Sequence, residues 1–148
     1  MPGAHLSSQG LEFYRGSESE AWSVIRENKL PCLESIVCVR RTVPEWWSSV
    51  ATSSERGLRY FHVPIQPSLR PECEPMLRTF LDVRWPSIPK PALVFCKDGR
   101  HRTGMIAAVL AYRRGASLHE ATAEYIDGTF GTARAREVGL ILKLCSGA

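Results

Sequence analysis

No stretch of this 148-residue chain is apolar for long enough to span a bilayer. Its start also lacks the basic-then-apolar layout of a secretory signal. Neither repeats nor low-complexity tracts occur, which excludes solenoids and disordered linkers. Charge of one sign is scarce: 19 Lys and Arg against 15 Asp and Glu give a formal +4, too little to infer a nucleic-acid partner. Cys32, Cys38, Cys73, Cys96 and Cys145 show neither paired metal-ligand spacing nor a dense disulfide framework, so no metal and no cofactor are expected. These absences point to a soluble, cytoplasmic protein, and a reducing compartment would keep its thiols active.

What remains is ordinary globular composition, 44% hydrophobic and 23% charged, in a chain the size of one domain. Residues 1–10 read as a flexible lead-in and 11–148 as a single domain. Leu11–Tyr14 reads as a short strand, and Arg15–Gly16–Ser17 as a turn. Ser17 and Glu20 have capping-box spacing ahead of a helix to about Asn28. Ser35–Val39 reads as a strand with Arg40–Arg41 at its carboxyl end. Thr42 and Glu45 repeat the capping-box spacing before a helix carrying Trp46, Trp47, Val50 and Ala51. Leu58–Val63 is a third strand, and a proline-rich loop follows from Ile65 to Pro75. Met76, Leu77, Phe80, Leu81 and Trp85 mark one helix face. Two closing helices are expected, one from the Ser117/Glu120 capping box and one from about Thr132. Alternating strands and helices imply an α/β fold: a mainly parallel central sheet of about four to five strands with helices on both faces. In such sheets ligands sit beyond the strands' carboxyl ends. That puts Arg40–Arg41, the Ile65–Pro75 loop and Cys96–Arg102 on one rim.

The chemistry concentrates between Ala92 and Thr103, ALVFCKDGRHRT. Ala92–Phe95 is a buried-strand pattern, Cys96 follows, and after a five-residue gap come Arg102, Thr103 and Gly104 at the head of an apolar helix. A strand, a tight polar loop and a helix N-terminus make an anion cradle, since loop N–H groups and the helix dipole both favour negative charge. The same donors stabilise Cys96 as a thiolate, the nucleophilic form of sulfur. Arg102 offers a planar fork for two phosphate oxygens. Gly99 lets the loop curl, Thr103 brings a hydroxyl within local reach of the sulfur, and Lys97, Arg100 and His101 add cationic character. The arrangement suits nucleophilic attack by sulfur on a bound phosphoryl group.

The Cys96, gap, Arg102–Thr103–Gly104 pattern resembles the signature of the cysteine-dependent phosphatases. Among these it looks most like the plant and fungal atypical dual-specificity phosphatases, whose loop is basic after the cysteine and carries a histidine before the arginine. Lys97, Arg100 and His101 match. The resemblance spans about Asp82 to Tyr125, with a weaker echo at Tyr14–Ser17. It implies a phosphocysteine intermediate, with Cys96, Arg102 and Thr103 as catalytic residues, and Asp98 is a further catalytic candidate by its position inside the cradle. Lys97, Asp98, Gly99, Arg100, His101, Arg102, Arg40 and Arg41 would contact substrate phosphate.

Two departures from that pattern bear on the substrate. Phe95 stands where such enzymes usually have a histidine, and Ile65, Gln66, Pro67 and Ser68 stand where a general-acid aspartate is sought. Glu72, Glu74, Asp82 and Asp98 are the stand-ins. Asp82 falls on a helix face, Asp98 could equally brace the loop, and bracing competes with proton transfer for His101 as well. Proton donation helps most when the leaving group is poor. A phenolate has a pKa of about 10, whereas a phosphate leaving group has a second pKa near 6 and needs little help. The family resembled includes enzymes that remove the outer phosphate of inositol pyrophosphates. A highly anionic phosphorylated small molecule is therefore the expected partner, with phosphotyrosine proteins as the alternative and an inactive phosphate-binding module as a third reading.

Overall fold

A computed structural model describes residues 7–9, 13–52, 57–65 and 71–146. Its strands are β1 (Ser7–Gln9), β2 (Phe13–Ser17), β3 (Ser35–Cys38), β4 (Arg59–His62) and β5 (Ala92–Cys96). They form one sheet in the order β1-β2-β5-β3-β4. β2, β5, β3 and β4 run parallel, and β1 pairs antiparallel with β2 at the edge. The expected α/β architecture is present, with the sulfur-bearing strand at its centre. Part of the lead-in assigned to residues 1–10 differs, because Ser7–Gln9 is a strand.

β5 is buried at every position, as a strand covered on both faces must be. Its side chains alternate. Ala92, Val94 and Cys96 join the larger core, while Leu93 and Phe95 join the other. The smaller core lies under α1 (Glu18–Glu27) and α2 (Trp47–Ala51), which bury Ala21, Val24 and Trp47. The larger lies under α3 (Glu74–Thr79), α4 (Trp85–Ser87), α5 (Arg102–Arg113), α6 (Leu118–Gly128) and α7 (Ala135–Ser146). Among the described residues, no helix is long and apolar enough to cross a membrane.

Several local expectations are met by the chemistry that motivated them. Ser17 caps α1 and Ser117 caps α6, each in a reciprocal capping box with the glutamate three residues on. Others are corrected. Arg15–Gly16–Ser17 is not a turn but the end of β2, paired with Val94, Phe95 and Cys96 of the central strand. Pairing with β5 overrides the turn propensity of the glycine and serine. Thr42 and Glu45 make no capping box. α2 starts only at Trp47, with no side-chain cap. The helix expected from Met76 to Trp85 is interrupted by a π-helical turn, Phe80–Arg84, in which the Trp85 N–H reaches back to the Phe80 carbonyl. The wider turn keeps Leu77, Phe80, Leu81 and Trp85 all in the core. The closing helix begins at Ala135, slightly later than Thr132. Leu11 and Glu12 of the first expected strand lie outside the described residues.

Candidate active site

The parallel strands end together. Ser17 of β2 is level with Cys96 of β5, and Cys38 of β3 with Phe95. Cys96 is nearly buried, and the chain turns through residues 97–101 before α5 starts at Arg102. The loop curls back so that the Gly99 N–H donates to Cys96 Sγ at 3.2 Å. Gly99 has φ +72° and lies against β2 so closely that a Cβ there would sit 2.6 Å from the Gly16 carbonyl carbon. Only glycine fits both conditions. Cys96 lines a cavity of about 170 Å³ together with Lys97, Asp98, Arg100, His101, Arg102 and Arg134. The α5 N-terminus contributes its partial positive charge to that cavity.

The expected loop residues accordingly come together. Arg102 lines the cavity, and its Nη1 also donates to the Ile65 carbonyl at 3.3 Å, tying the head of α5 to the chain after β4. Arg100 lies over the Phe130 ring, 5.3 Å from its centroid. Thr103 is fully buried, and its hydroxyl has no hydrogen-bond partner among the described residues. His101 is held from both ends of its ring, with Nδ1 2.7 Å from Glu137 Oε1 and Nε2 3.1 Å from Thr132 Oγ1. That is a bracing geometry.

Arg40 and Arg41 share the rim but do not line the cavity. The Arg40 guanidinium is engaged by Glu18, its carbonyl is met by His62 Nε2 at 2.9 Å, and Arg41 is exposed. Among the stand-in acids, Asp98 lines the cavity. Asp82 pairs with Arg113 at 2.7 Å, at the far end of α5, and Glu74 accepts from Arg78 at 2.7 Å. Glu72 is exposed in a 3-10 turn, Pro71–Cys73. Gln66, Pro67 and Ser68 lie outside the described residues.

Phe95 has a plain structural role. It points to the face opposite Cys96 and packs against Trp46 (5.8 Å between ring centroids) and Trp47 (6.2 Å), in a cluster continued by Trp22 and Tyr60. Cys38 shares that core, as expected of a small buried hydrophobe. Burial above all pushes its thiol up to about 11, so it stays neutral.

Four polar residues of the site were not singled out in the sequence. Arg134 lines the cavity and pairs with Glu137 at 3.2 Å. Glu137 is fully buried, and it also accepts the Tyr125 hydroxyl, whose ionisation burial and the neighbouring carboxylate both oppose. Arg15 lies beneath the loop. For Arg15 and Glu137 the only sequence signal was a charge inside an otherwise apolar strand or helix pattern, and Tyr125 and Arg134 carried none.

A strand-borne cysteine, a curled loop and an arginine opening a buried helix thus meet on a mainly parallel sheet with helices on both faces. No family model matches the chain, and no curated protein matches it by sequence. Solved structures share its fold. The core catalytic domain of the PP-IP phosphatase SIW14 from S. cerevisiae is 24% identical, with 96% of this chain and 86% of that one covered at a TM-score of 0.73. TpbA from P. aeruginosa is 19% identical, covering 99% and 90%, with a TM-score of 0.59. Human DUSP28 is 18% identical, covering 97% and 93%, with a TM-score of 0.58.

Proposed function

We propose that this chain is a cysteine-dependent phosphatase whose substrate is a densely phosphorylated small molecule of the inositol pyrophosphate type. One observation carries the reading: the Cys96 sulfur accepts a loop N–H, and Cys96 lines a cavity whose other lining residues, Asp98 apart, are cationic or can become so. The likeness to a PP-IP phosphatase fold supports the choice of substrate.

In the proposed reaction the outer phosphoryl group enters the cradle, its oxygens facing the loop amides and the Arg102 fork. The Cys96 thiolate attacks phosphorus in line. The S–P bond forms as the bond to the bridging oxygen breaks, and the electron pair leaves with the inner phosphate. That group is stable as an anion, so no general acid is needed. Water then attacks the phosphocysteine, inorganic phosphate departs and the thiolate is regenerated. The Thr103 hydroxyl is available to stabilise the leaving sulfur, and Asp98 is the carboxylate at hand to receive the water's proton. Lys97, Arg100 and Arg134 grip the rest of the polyanion.

The tyrosine-phosphate reading has one observation in its favour. Phe130, half exposed beside Arg100, offers an aromatic wall near the cavity mouth. Phosphate release from an inositol pyrophosphate, a phosphotyrosine peptide and a small aryl phosphate separates the two. The proposal expects kcat/KM at least about tenfold higher for the pyrophosphate, since the grip beyond the cradle acts only on the polyanion. Equal or faster release from the peptide overturns it.

A further inference from the structure

Arg15 is a charged side chain only 3% exposed, in the β-strand beside the sulfur-bearing one. Burying an arginine is costly unless its donors are used. Here Nη2 donates to the Gly99 carbonyl at 2.8 Å, and Nη1 pairs with Glu124 of α6 at 3.5 Å. The slot it occupies exists because two helices lack a side chain there. A Cβ on Gly104 of α5 would lie 3.1 Å from Nη2, and one on Gly128 of α6 2.9 Å from it. The charged or titratable groups acting on the guanidinium are Glu124 from α6, Glu20 from α1 and Cys96 from β5.

In a trans peptide the carbonyl and the following N–H point in opposite directions. Arg15 holds the Gly99 carbonyl on the side of β2 and α6. The Arg100 N–H of the same peptide therefore faces the other way, away from β2 and α6. The Gly99 N–H, on the preceding peptide, already reaches Cys96 Sγ. We propose that Arg15 is a positioning residue that fixes the Gly99–Arg100 peptide with its N–H towards the phosphoryl site. Without that grip the peptide is free to rotate and present a carbonyl oxygen where an anion must bind. This rests on the thiolate chemistry proposed above, but it concerns only the free protein's loop.

The test is iodoacetamide alkylation of Cys96 in the full chain, followed by mass spectrometry of its peptide across pH and without substrate. Arg15→Met fills the slot with a similar length and no donor. Gly128→Ala leaves Arg15 in place and crowds its guanidinium. In both, alkylation at about pH 6 is expected to slow about tenfold, with little change at about pH 9, where an ordinary thiol is already largely thiolate. kcat on an aryl phosphate should fall with it, by more than KM rises. Arg15→Lys, which keeps the cation without the fork, should recover part of the pH 6 rate. Should Arg15→Met fail to fold, Gly128→Ala carries the test alone. A folded variant of either kind with the wild-type alkylation profile and wild-type kcat overturns the role. Because alkylation needs no turnover, the result stands whether or not the substrate proposed above is correct.

Discussion

At the residue scale, the site divides into groups that face the cavity and groups that hold them. Arg102 does both, lining the cavity and donating to the Ile65 carbonyl. Lysine cannot reproduce two parallel N–H bonds, so Arg102→Lys is expected to lose about a hundredfold or more in kcat on any substrate. Near-normal kinetics on an aryl phosphate would show that the fork is not used. Arg134 faces the cavity from a segment remote in sequence, beyond the cradle itself. Arg134→Ala should raise KM for an inositol pyrophosphate about tenfold while changing an aryl phosphate less than about twofold. Equal losses on both would place Arg134 in structural support through Glu137. Cys96, Arg102 and their neighbours were legible in the sequence because the cradle is contiguous. Arg15 meets Gly99 across 84 positions and Glu137 meets His101 across 36, and no local pattern encodes such pairings.

At the scale of elements, β5 serves two faces at once. Alternation puts Cys96 towards the larger core and Phe95 into the tryptophan cluster on the other side. Phe95, where the family resembled usually has a histidine, thus serves packing beneath the strand. Phe95→Ala should destabilise the protein by about 3–5 kcal/mol, the usual loss for emptying a buried aromatic site. Phe95→His should also destabilise it, because an imidazole there has apolar rings for neighbours and needs a hydrogen-bond partner. Thermal or urea unfolding measures both, and a histidine variant as stable as the parent would mean that a polar partner lies in that cluster. Elements with their own local signals, such as the capping boxes of α1 and α6, were legible. Tertiary context decided the rest: β2 extends through Arg15–Ser17 because β5 pairs with it, and α3 gives way to a π-turn that seats Trp85.

At the scale of the molecule, the alternation of strands and helices announced a parallel sheet covered on both faces, and the sheet's carboxyl rim was where the reading placed the chemistry. The cradle, Arg40 and the chain after β4 do meet there. Which rim cations reach a ligand was not legible, because it depends on side-chain pairing: Arg40 is drawn to Glu18, whereas Arg134 comes over from the start of α7. The whole account turns on Cys96 carrying the phosphoryl group between two half-reactions. Rapid acid quenching during turnover of an inositol pyrophosphate, followed by mass spectrometry of the Cys96 peptide, reads that directly. The account predicts a phosphate on Cys96 in the wild-type chain, and neither label nor turnover in Cys96→Ser, which still binds inorganic phosphate in an intact cradle. Sustained hydrolysis by Cys96→Ser would contradict it.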